Sequence, residues 1–398
     1  MRTSPMLEFP LQEFESRLER LTKGLKKAGL DGIMLTSKEN TRYFSGLQSI
    51  IWSSKVSTPG ILIVSADGKS RMVGSASASE TAMYTSCIDD EDVKCFNRNF
   101  LSGIPGTYPD AIIESFHDLN LDHGRIGMEF GKGCYFHLQQ HWFEEILGRM
   151  SIQTVDASDL IWEIRSIKSE AEIALLKEAC LLNERSVDFA FRHTELNRTT
   201  EADFFRMYAQ EAFRGACENV HPLSVRFGKN RFHYPNCPFS DGVVISADPH
   251  AALLVSGGLF KKGYFADTVR TGIVMGLDQT QELLSKVSTD VQAYAVSKIC
   301  PGVRISEVVE TIDAYAESQQ GFAYYGGCNG HSIGLDIREY PLFNRKDDTI
   351  LMPGMVISFE IAYGNADTGL FCNEIPVAVT ETGCSVLGGA YTGPYILK

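Results

Sequence analysis

Two apolar segments near the end of the chain each contain one glutamate, and this pattern restricts the fold more than any other feature. Glu360 lies in "MVISFEIAYG" and Glu374 lies in "GLFCNEIPVAVT". Both segments have the character of β-strands, and alternation along a strand puts Glu360 on the same face as Val356 and Ser358. Such a glutamate either faces water at a strand edge or is buried, and burial is costly unless the carboxylate is paired or binds a cation.

Asp267 and His331 extend this set of polar residues in apolar surroundings. Asp267 lies in the strand-like segment "GYFADTVRTGIV", and His331 lies in "GGCNGHSIGLDIRE". Three carboxylates and one imidazole are donors that suit a divalent transition-metal ion. Each residue alone is more simply explained as a polar residue of a strand or loop. The four together indicate metal-ligand chemistry.

Length and charge limit the range of partners. A chain of 398 residues corresponds to two or three domains. The formal net charge of -13 argues against nucleic acid and anionic membranes, because both are bound by basic surfaces. No apolar run approaches the ~18 residues of a membrane span. The chain starts without an apolar signal region and its ten cysteines are scattered, so we expect a cytoplasmic protein with reduced thiols.

The order of predicted elements divides the chain into two domains. Residues 1–160 alternate helices and strands, beginning with the helical spacing of residues 11–28, and this predicts an α/β domain. Ser169 and Glu172 form a capping-box pattern at the start of a long helix in the second domain, residues 161–398. In that domain, helices and strands are segregated, which is typical of an α+β domain. Predicted strands there include 242–246 and 252–255, and predicted helices include 280–297 and 306–318.

Several short motifs resemble those of the creatinase/methionine-aminopeptidase ("pita-bread") family, in its two-domain branch of creatinase and Xaa-Pro peptidases. The motifs span nearly the whole chain in the order of the family. They are Asn40-x-x-Tyr43-x-x-Gly46, "IRSIKSEAEIALLKEA", Gly263-Tyr264-x-x-Asp267-x-x-Arg270-Thr271, Gly330-His331-Ser332-Ile333-Gly334-Leu335, Pro353-Gly354-Met355-Val356-x-Ser358-x-Glu360 and Asn373-Glu374. The resemblance implies an α+β protein, with a C-terminal pita-bread catalytic domain and a smaller N-terminal creatinase-like domain.

The resemblance also implies a ligand set with one member missing. The family places two aspartates, one histidine and two glutamates around two metal ions. Asp267, His331, Glu360 and Glu374 match four of these positions, and Ser256 stands where the first aspartate is expected. A hydroxyl is a poor substitute for a bidentate carboxylate toward a hard dication. We therefore expect no two-metal site and leave two alternatives open: one divalent ion (Mn, Fe or Zn), or a metal-free site as in the creatinase branch.

Without a metal, Asp267, Glu360 and Glu374 would crowd together and raise at least one carboxyl pKa toward neutrality. Such an acid suits protonation of a leaving nitrogen or orientation of a substrate cation. Arg270 either offsets part of this charge or braces the hairpin.

Two further positions concern the chemistry of the substrate. The segment "FGKNRFHYPN" is similar to the family segment that supplies a substrate-side histidine, which makes His233 the expected proton shuttle. Peptidases of the family usually carry another histidine where this chain has Arg338. Arginine is no base at neutral pH, but it binds a carboxylate bidentately, unless it pairs instead with Asp336 or Glu339.

These residues predict a creatinase-like hydrolase that cleaves a C–N bond in a small, carboxylate-bearing substrate. The expected catalytic residues are His233, Glu360 and Glu374, and the expected substrate-binding residues are Arg338, Tyr264 and Ser256. Three alternatives remain: a dinuclear Xaa-Pro dipeptidase, a small-molecule lyase on the same scaffold, and a non-catalytic peptide-binding protein. By resemblance, we expect a homodimer.

Overall fold

The computed structural model describes residues 1–53, 60–96, 107–228, 239–319, 327–365, 367–389 and 392–398. They form two compact units, Met1–Arg165 and Ser166–Lys398. The division falls just after the predicted boundary at residue 160, because the helix Ser158–Arg165 packs on the first helix of the chain. In the described parts of the chain, no helix combines the length and the apolar character needed to cross a membrane.

The first unit is built on a mixed six-stranded sheet with strand order β4-β3-β2-β1-β5-β6. Its strands are β1 (Gly32–Leu35), β2 (Ile61–Ser65), β3 (Ser70–Ser75), β4 (Val93–Phe96), β5 (Arg125–Met128) and β6 (Gln153–Asp156). Its α-helices are α1 (Leu11–Ala28), α2 (Lys38–Ser45), α3 (Ala76–Thr85), α4 (Tyr108–Asp118), α5 (Gln140–Arg149) and α6 (Ser158–Arg165). Strands and helices alternate along this unit except at the hairpin of β2 and β3.

A buried carboxylate in the first unit shows how such a group is normally satisfied. Glu129 is fully buried and accepts hydrogen bonds from the backbone and hydroxyl groups of Thr36 and Ser37. Asn40, from the first of the family-like motifs, donates a further one. Because donors from α2 and from the connection between β1 and α2 converge on Glu129, its charge is compensated and it holds this turn in place.

The second unit contains a ten-stranded sheet in which β12-β11-β13-β14-β10-β9-β7 is the main strand order. Its strands are β7 (Asn219–Val220), β8 (Ser224–Phe227), β9 (Ala252–Lys261), β10 (Tyr264–Val274), β11 (Asn329–Ser332), β12 (Glu339–Phe343), β13 (Val356–Asn365), β14 (Gly369–Val379), β15 (Cys384–Val386) and β16 (Tyr395–Leu397). Its helices are α7 (Glu170–Arg192), α8 (Glu201–Arg214), α9 (Gln279–Lys298) and α10 (Ile305–Ser318). Strands β8, β15 and β16 pair with β9, β14 and β10.

Local sequence signals account for where the helices of this unit begin. The capping box of Ser169 and Glu172 is confirmed at the start of α7. Thr200 with Asp203 and Asp278 with Gln281 do the same for α8 and α9. In each case two otherwise unpaired N–H groups of the first turn are satisfied by side chains.

The predicted strand at 242–246 is wrong. Within this segment, the structure has a single bridge between Val244 and Thr200. The backbone of Val243 and Ile245 bonds to residues around the start of α8 instead of to a neighbouring strand. The apolar residues of the segment therefore complete the packing around that helix rather than extend the sheet.

The helices cover one face of the sheet and leave the other for polar residues. Ile357, Phe359 and Ile361 of β13 pack with α9 and α10, so Ser358 and Glu360 point away from them. Leu253 and Val255 of β9 pack with α7 and α8, so Ser256 also points away from its helical layer. Alternation along the strands thus places these polar residues on the face opposite the helices, which also carries a small apolar cluster.

Candidate active site

A cavity of about 460 Å³ lies in the second unit and contains most of the predicted site residues. Its lining comprises His221, Pro222, Ser224, Ser256, Gly257, Phe265, Asp267, Gly330, His331, Ile337, Arg338, Glu360 and Glu374. Acidic groups, two imidazoles and one guanidinium therefore meet in a space large enough for a small organic molecule.

The register of four adjacent strands brings the acids together. Glu360 of β13 lies directly opposite Glu374 of β14. Glu374 lies opposite Val269 of β10, so Asp267 is the next residue on the same face of that strand. His331 of β11 lies opposite Ser358 of β13. Residues from distant parts of the sequence thus share one face because their strands are neighbours.

Asp267, His331 and Glu374 form a group that fits one metal ion. Nε2 of His331 lies 3.6 Å from Oδ2 of Asp267 and 3.8 Å from Oε1 of Glu374. One donor atom from each of the three side chains lies within 4.8 Å of the other two. Two carboxylate oxygens and one imidazole nitrogen at such spacing suit Mn, Fe or Zn.

The histidine is held in the tautomer that metal binding requires. Nδ1 of His331 lies 3.1 Å from the backbone oxygen of Ser332, so Nδ1 carries the proton and donates to that oxygen. In the neutral ring, Nε2 then keeps its lone pair and faces the two carboxylates. A backbone contact of this kind is the usual way in which a protein orients a ligand histidine.

Burial gives this group unusual protonation in the absence of a metal. Burial, followed by the negative charge of Glu360, raises the pKa of Asp267 to about 7, while Arg338 opposes this effect. Burial and the charges of Asp267 and Glu360 raise the pKa of Glu374 well above its ordinary value. Burial lowers the pKa of His331 to about 4, so the ring is neutral at pH 7 and its carboxylate contacts are not ion pairs.

Glu360 lines the same cavity, but its carboxylate stands outside the group of three. The thiol of Cys372 lies 3.8 Å from Oε2 of Glu360 and donates toward it. Burial raises the pKa of this thiol far above neutrality, so it remains protonated. The carboxylate of Glu360 therefore borders the cavity with this thiol as one of its neighbours.

Ser256 occupies the side of the cavity where the family places its first aspartate. It lies opposite Val269 of β10 and opposite Ser224 of β8, and Ser224 also lines the cavity. This side of the cavity therefore offers neutral hydroxyls instead of a bidentate carboxylate. The described residues fit one dication and give no anionic ligand set for a second.

Arg338 also lines the cavity; it is an exposed residue at the end of the loop between β11 and β12. The alternative that it pairs with Glu339 is excluded, since the Glu339 carboxylate accepts from Lys168 at 3.0 Å and from the backbone of Asp336 at 3.2 Å. Within the described parts of the chain, Arg338 forms no ion pair. Its guanidinium is accordingly available to an anionic group in the cavity.

A buried ion pair holds the loop that carries Arg338. Lys168 and Glu339 each expose 1% of their side chain, and Lys168 also donates to Ser332 at 3.1 Å. A side chain at Gly334 would come within 2.5 Å of the Glu339 carboxylate. The backbone of Phe265 donates to Gly334 at 2.7 Å. These contacts fix the loop next to His331.

The structure corrects the prediction that Tyr264 binds substrate. Tyr264 is 1% exposed and is not among the cavity-lining residues of the described chain. Its hydroxyl donates to Glu172 at 2.8 Å, which ties β10 to α7. Arg270 is likewise structural: it donates to the backbone oxygen of Glu374 at 2.7 Å and pairs with Glu184.

Two histidines remain to be placed. His233, the predicted proton shuttle, lies in residues 229–238, outside the described residues. His221 lines the cavity and was missed by sequence reasoning. The only sequence signal for it is a His-Pro pair that ends a short strand-like run, and this signal is too common to indicate a site.

Comparison with known proteins decides the family. Residues 174–384 match the model of metallopeptidase family M24, and residues 17–167 match that of the creatinase/prolidase N-terminal domain. The chain belongs to metallopeptidase family M24. This confirms the family resemblance and the two-domain α+β fold with a C-terminal pita-bread domain.

Relatives with full-length matches include peptidases of known and unknown specificity. The uncharacterized peptidase YqhT of Bacillus subtilis is 27% identical, over 92% of this chain and 96% of its own. The Xaa-Pro dipeptidase of Pyrococcus furiosus is 24% identical, over 94% of this chain and 97% of its own.

Solved structures show the same fold. The Xaa-Pro dipeptidase from Bacillus anthracis has a TM-score of 0.79 at 22% identity, covering 96% of this chain and 100% of that chain. The prolidase from Pyrococcus furiosus has a TM-score of 0.74 at 22% identity, covering 93% of this chain and 99% of that chain.

Replacing Lys168 with methionine should strongly destabilise the second unit. Lys168→Met leaves the Glu339 carboxylate buried without its partner, which costs about 3–5 kcal/mol of unfolding free energy. Chemical denaturation of the full chain measures this loss. Lys286→Met, which removes an exposed ion pair from the same unit, is the matched control and should cost at most about 1 kcal/mol. If the two variants lose the same unfolding free energy, the buried pair of Lys168 and Glu339 does not hold the loop as described.

Metal binding to the protein should release protons below neutral pH. Asp267 has a pKa of about 7 in the metal-free fold, so it is protonated at lower pH and must lose its proton to bind an ion. His331 is already neutral and contributes none. Affinity for Mn or Zn should therefore rise with pH through about 7, and the raised pKa of Glu374 acts in the same direction.

Calorimetric titration at pH 6 in two buffers of different ionisation enthalpy should show about one or more protons released per ion. At pH 8.5, the release from Asp267 should largely vanish. No proton release at pH 6 would show that the acids are ionised in the metal-free fold, and equal release at both pH values would show that Asp267 does not titrate between them.

Proposed function

We propose that this chain is a dipeptidase-like hydrolase that cleaves the amide C–N bond of a small substrate with a free carboxylate, with one divalent metal ion. The observation that carries the proposal is the cavity itself, where the group of Asp267, His331 and Glu374 meets Arg338. Membership of a metallopeptidase family and full-length similarity to proteins named Xaa-Pro dipeptidase support peptide substrates.

The proposed roles follow from the positions of the side chains. Asp267, His331 and Glu374 would hold the ion, which when bound acts as a Lewis acid toward the substrate carbonyl group. Glu360, which has the thiol of Cys372 as a neighbour, would accept a proton from the attacking water and return it to the leaving nitrogen. Water adds to the amide carbon, the C–N bond breaks, and the products are a carboxylic acid and an amine.

Arg338 would supply recognition in this scheme. A guanidinium binds a carboxylate through two parallel hydrogen bonds, which fixes both the position and the direction of a small substrate. The loop held by Lys168 and Glu339 reduces the freedom that Arg338 must lose on binding. A substrate no longer than a dipeptide, with its terminal carboxylate on Arg338, suits the size of the cavity.

A second candidate is a creatinase-like hydrolase acting on a small amidine or guanidine acid. Ser256 stands in place of an acidic ligand and favours this candidate, because a reaction that depends less on metal ions needs fewer anionic ligands. Both candidates share the carboxylate on Arg338 and differ in the bond that is cleaved. A lyase would be recognised by an unsaturated product in the same assay.

The proposed site should take one ion per chain. Elemental analysis after metal loading and desalting should give about one ion for the wild type, since Ser256 provides no carboxylate. Ser256→Asp restores the missing anionic ligand and should raise the stoichiometry toward two. Ser256→Asn, similar in size to the aspartate but neutral, is the control and should remain at one. Two tightly held ions in the wild type would contradict the single-ion site.

Arg338 should bind the free carboxylate of the substrate. Arg338→Met should raise KM for dipeptides about 10- to 100-fold, the cost of a lost charge-assisted hydrogen-bond pair. Dipeptide amides, which lack that carboxylate, should be nearly unaffected by the substitution. Arg192→Met, an exposed change on α7, is the control.

Product analysis by mass spectrometry on metal-loaded protein identifies the bond that is broken. Hydrolysis of a guanidino acid without any cleavage of dipeptides would select the second candidate. If Arg338→Met leaves KM unchanged for every substrate, Arg338 has no role in substrate binding in either candidate function.

A further inference from the structure

His221 lines the cavity but belongs neither to the group that would bind the metal ion nor to the site at Arg338 that would bind the carboxylate. It lies between β7 and β8, and its backbone N–H donates to Gly258 of β9 at 2.9 Å. Gly257 and Ser256, which precede that glycine, line the same cavity. The position of His221 is therefore fixed by the sheet, and its half-buried side chain borders the space where a substrate would lie.

Contacts on one side of the ring determine which nitrogen carries the proton. Nδ1 of His221 lies 3.2 Å from the backbone oxygen of Pro222. A carbonyl oxygen only accepts, so Nδ1 is the donor in this contact. In the neutral imidazole, Nε2 then has a free lone pair. The ring of Phe265, which also lines the cavity, makes an edge contact with the imidazole ring. The two ring centroids are 6.1 Å apart and the angle between the ring planes is 75°.

The remaining groups of the cavity show why this lone pair matters. If an ion is bound, the oxygens of Asp267 and Glu374 are engaged with it, and Arg338 is only a donor. Among the described lining residues, the side-chain acceptors outside that group are then Glu360, which the proposed reaction uses as its base, His221, and the hydroxyls of Ser224 and Ser256. With Glu360 assigned to the attacking water, the imidazole nitrogen of His221 is the strongest remaining acceptor toward a charged N–H donor.

We propose that His221 is a substrate-binding residue whose Nε2 accepts a hydrogen bond from the free amine of the substrate. With Arg338 as the contact for the carboxylate, the cavity selects zwitterionic dipeptides with an unblocked N-terminus. This inference rests on the proposed function, and it names the substrate class of the same site.

Kinetics with paired substrates test the proposal. The wild type should hydrolyse a dipeptide with roughly 10- to 100-fold higher kcat/KM than its N-acetyl derivative, because a charge-assisted hydrogen bond is lost on acetylation. His221→Phe should abolish most of this preference through a higher KM for the free dipeptide, with little change for the acetylated one. His221→Gln, whose amide oxygen accepts, should retain part of the preference.

A structural role for His221 would give a different pattern. It would lower kcat/KM for both substrates equally, and that result would overturn the proposal. Unchanged discrimination in His221→Phe would overturn it as well. Metal content, measured on the same samples, should equal that of the wild type.

Nitrogen NMR of the histidine-labelled protein provides a test that does not need turnover. In the neutral ring, measured at a pH where a titration shows that the ring is uncharged, Nδ1 of His221 should be protonated and Nε2 should not, with the signal assigned by its loss in His221→Phe. Addition of a dipeptide should shift the Nε2 resonance in the direction of hydrogen-bond acceptance. His250 is the matched control, since its Nδ1 lies 2.9 Å from the oxygen of Gly276 and it does not line the cavity.

The two measurements separate failure of this inference from failure of the proposed function. A shift of Nε2 on dipeptide binding without any hydrolysis would overturn the proposed reaction and support His221 as an amine-binding residue. A protonated Nε2 in the resting protein, or dipeptide binding that leaves this resonance unchanged, would overturn the role of His221.

Discussion

The placement of three carboxylates on one face of adjacent strands is the constraint on which the rest of the structure depends. Glu360 and Glu374 face each other across one strand pair, and Asp267 lies on the next strand. Burial of like charges at this spacing is unfavourable unless protons or a cation compensate it. The raised pKa of Asp267 and of Glu374 expresses this cost, and a dication at the same place would remove it.

Comparison with Glu129 shows that burial alone does not make a carboxylate functional. Glu129 is as deeply buried as the site acids, but backbone and side-chain donors surround it. Asp267 has a backbone donor in Thr268 and otherwise faces Glu360, Glu374 and His331. A buried acid with many donors stabilises the fold, whereas buried acids that face one another keep their binding capacity for a ligand.

The cavity differs from a purely acidic site because it also contains a positive charge and neutral polar groups. A hydroxyl stands at position 256, and a guanidinium stands at position 338, held by the buried pair of Lys168 and Glu339. One wall thus attracts a cation and another attracts an anion. The imidazole of His221 borders the same cavity, beside the ring of Phe265 and just after the end of β7. A molecule with one carboxylate and one amine matches this arrangement better than an apolar or highly charged one.

The sequence by itself determined the strand character of the segments around Asp267, Glu360 and Glu374, the capping box at Ser169, and the neutral residue at position 256. These features depend on neighbours within a few residues or on motifs with fixed spacing. The sequence did not determine that residues 242–246 form no strand, that the Tyr264 hydroxyl donates to Glu172, or that His221 borders the cavity. Only the tertiary structure decided these, because strand register and helix packing choose which residues from distant segments come into contact, and no local pattern encodes that choice.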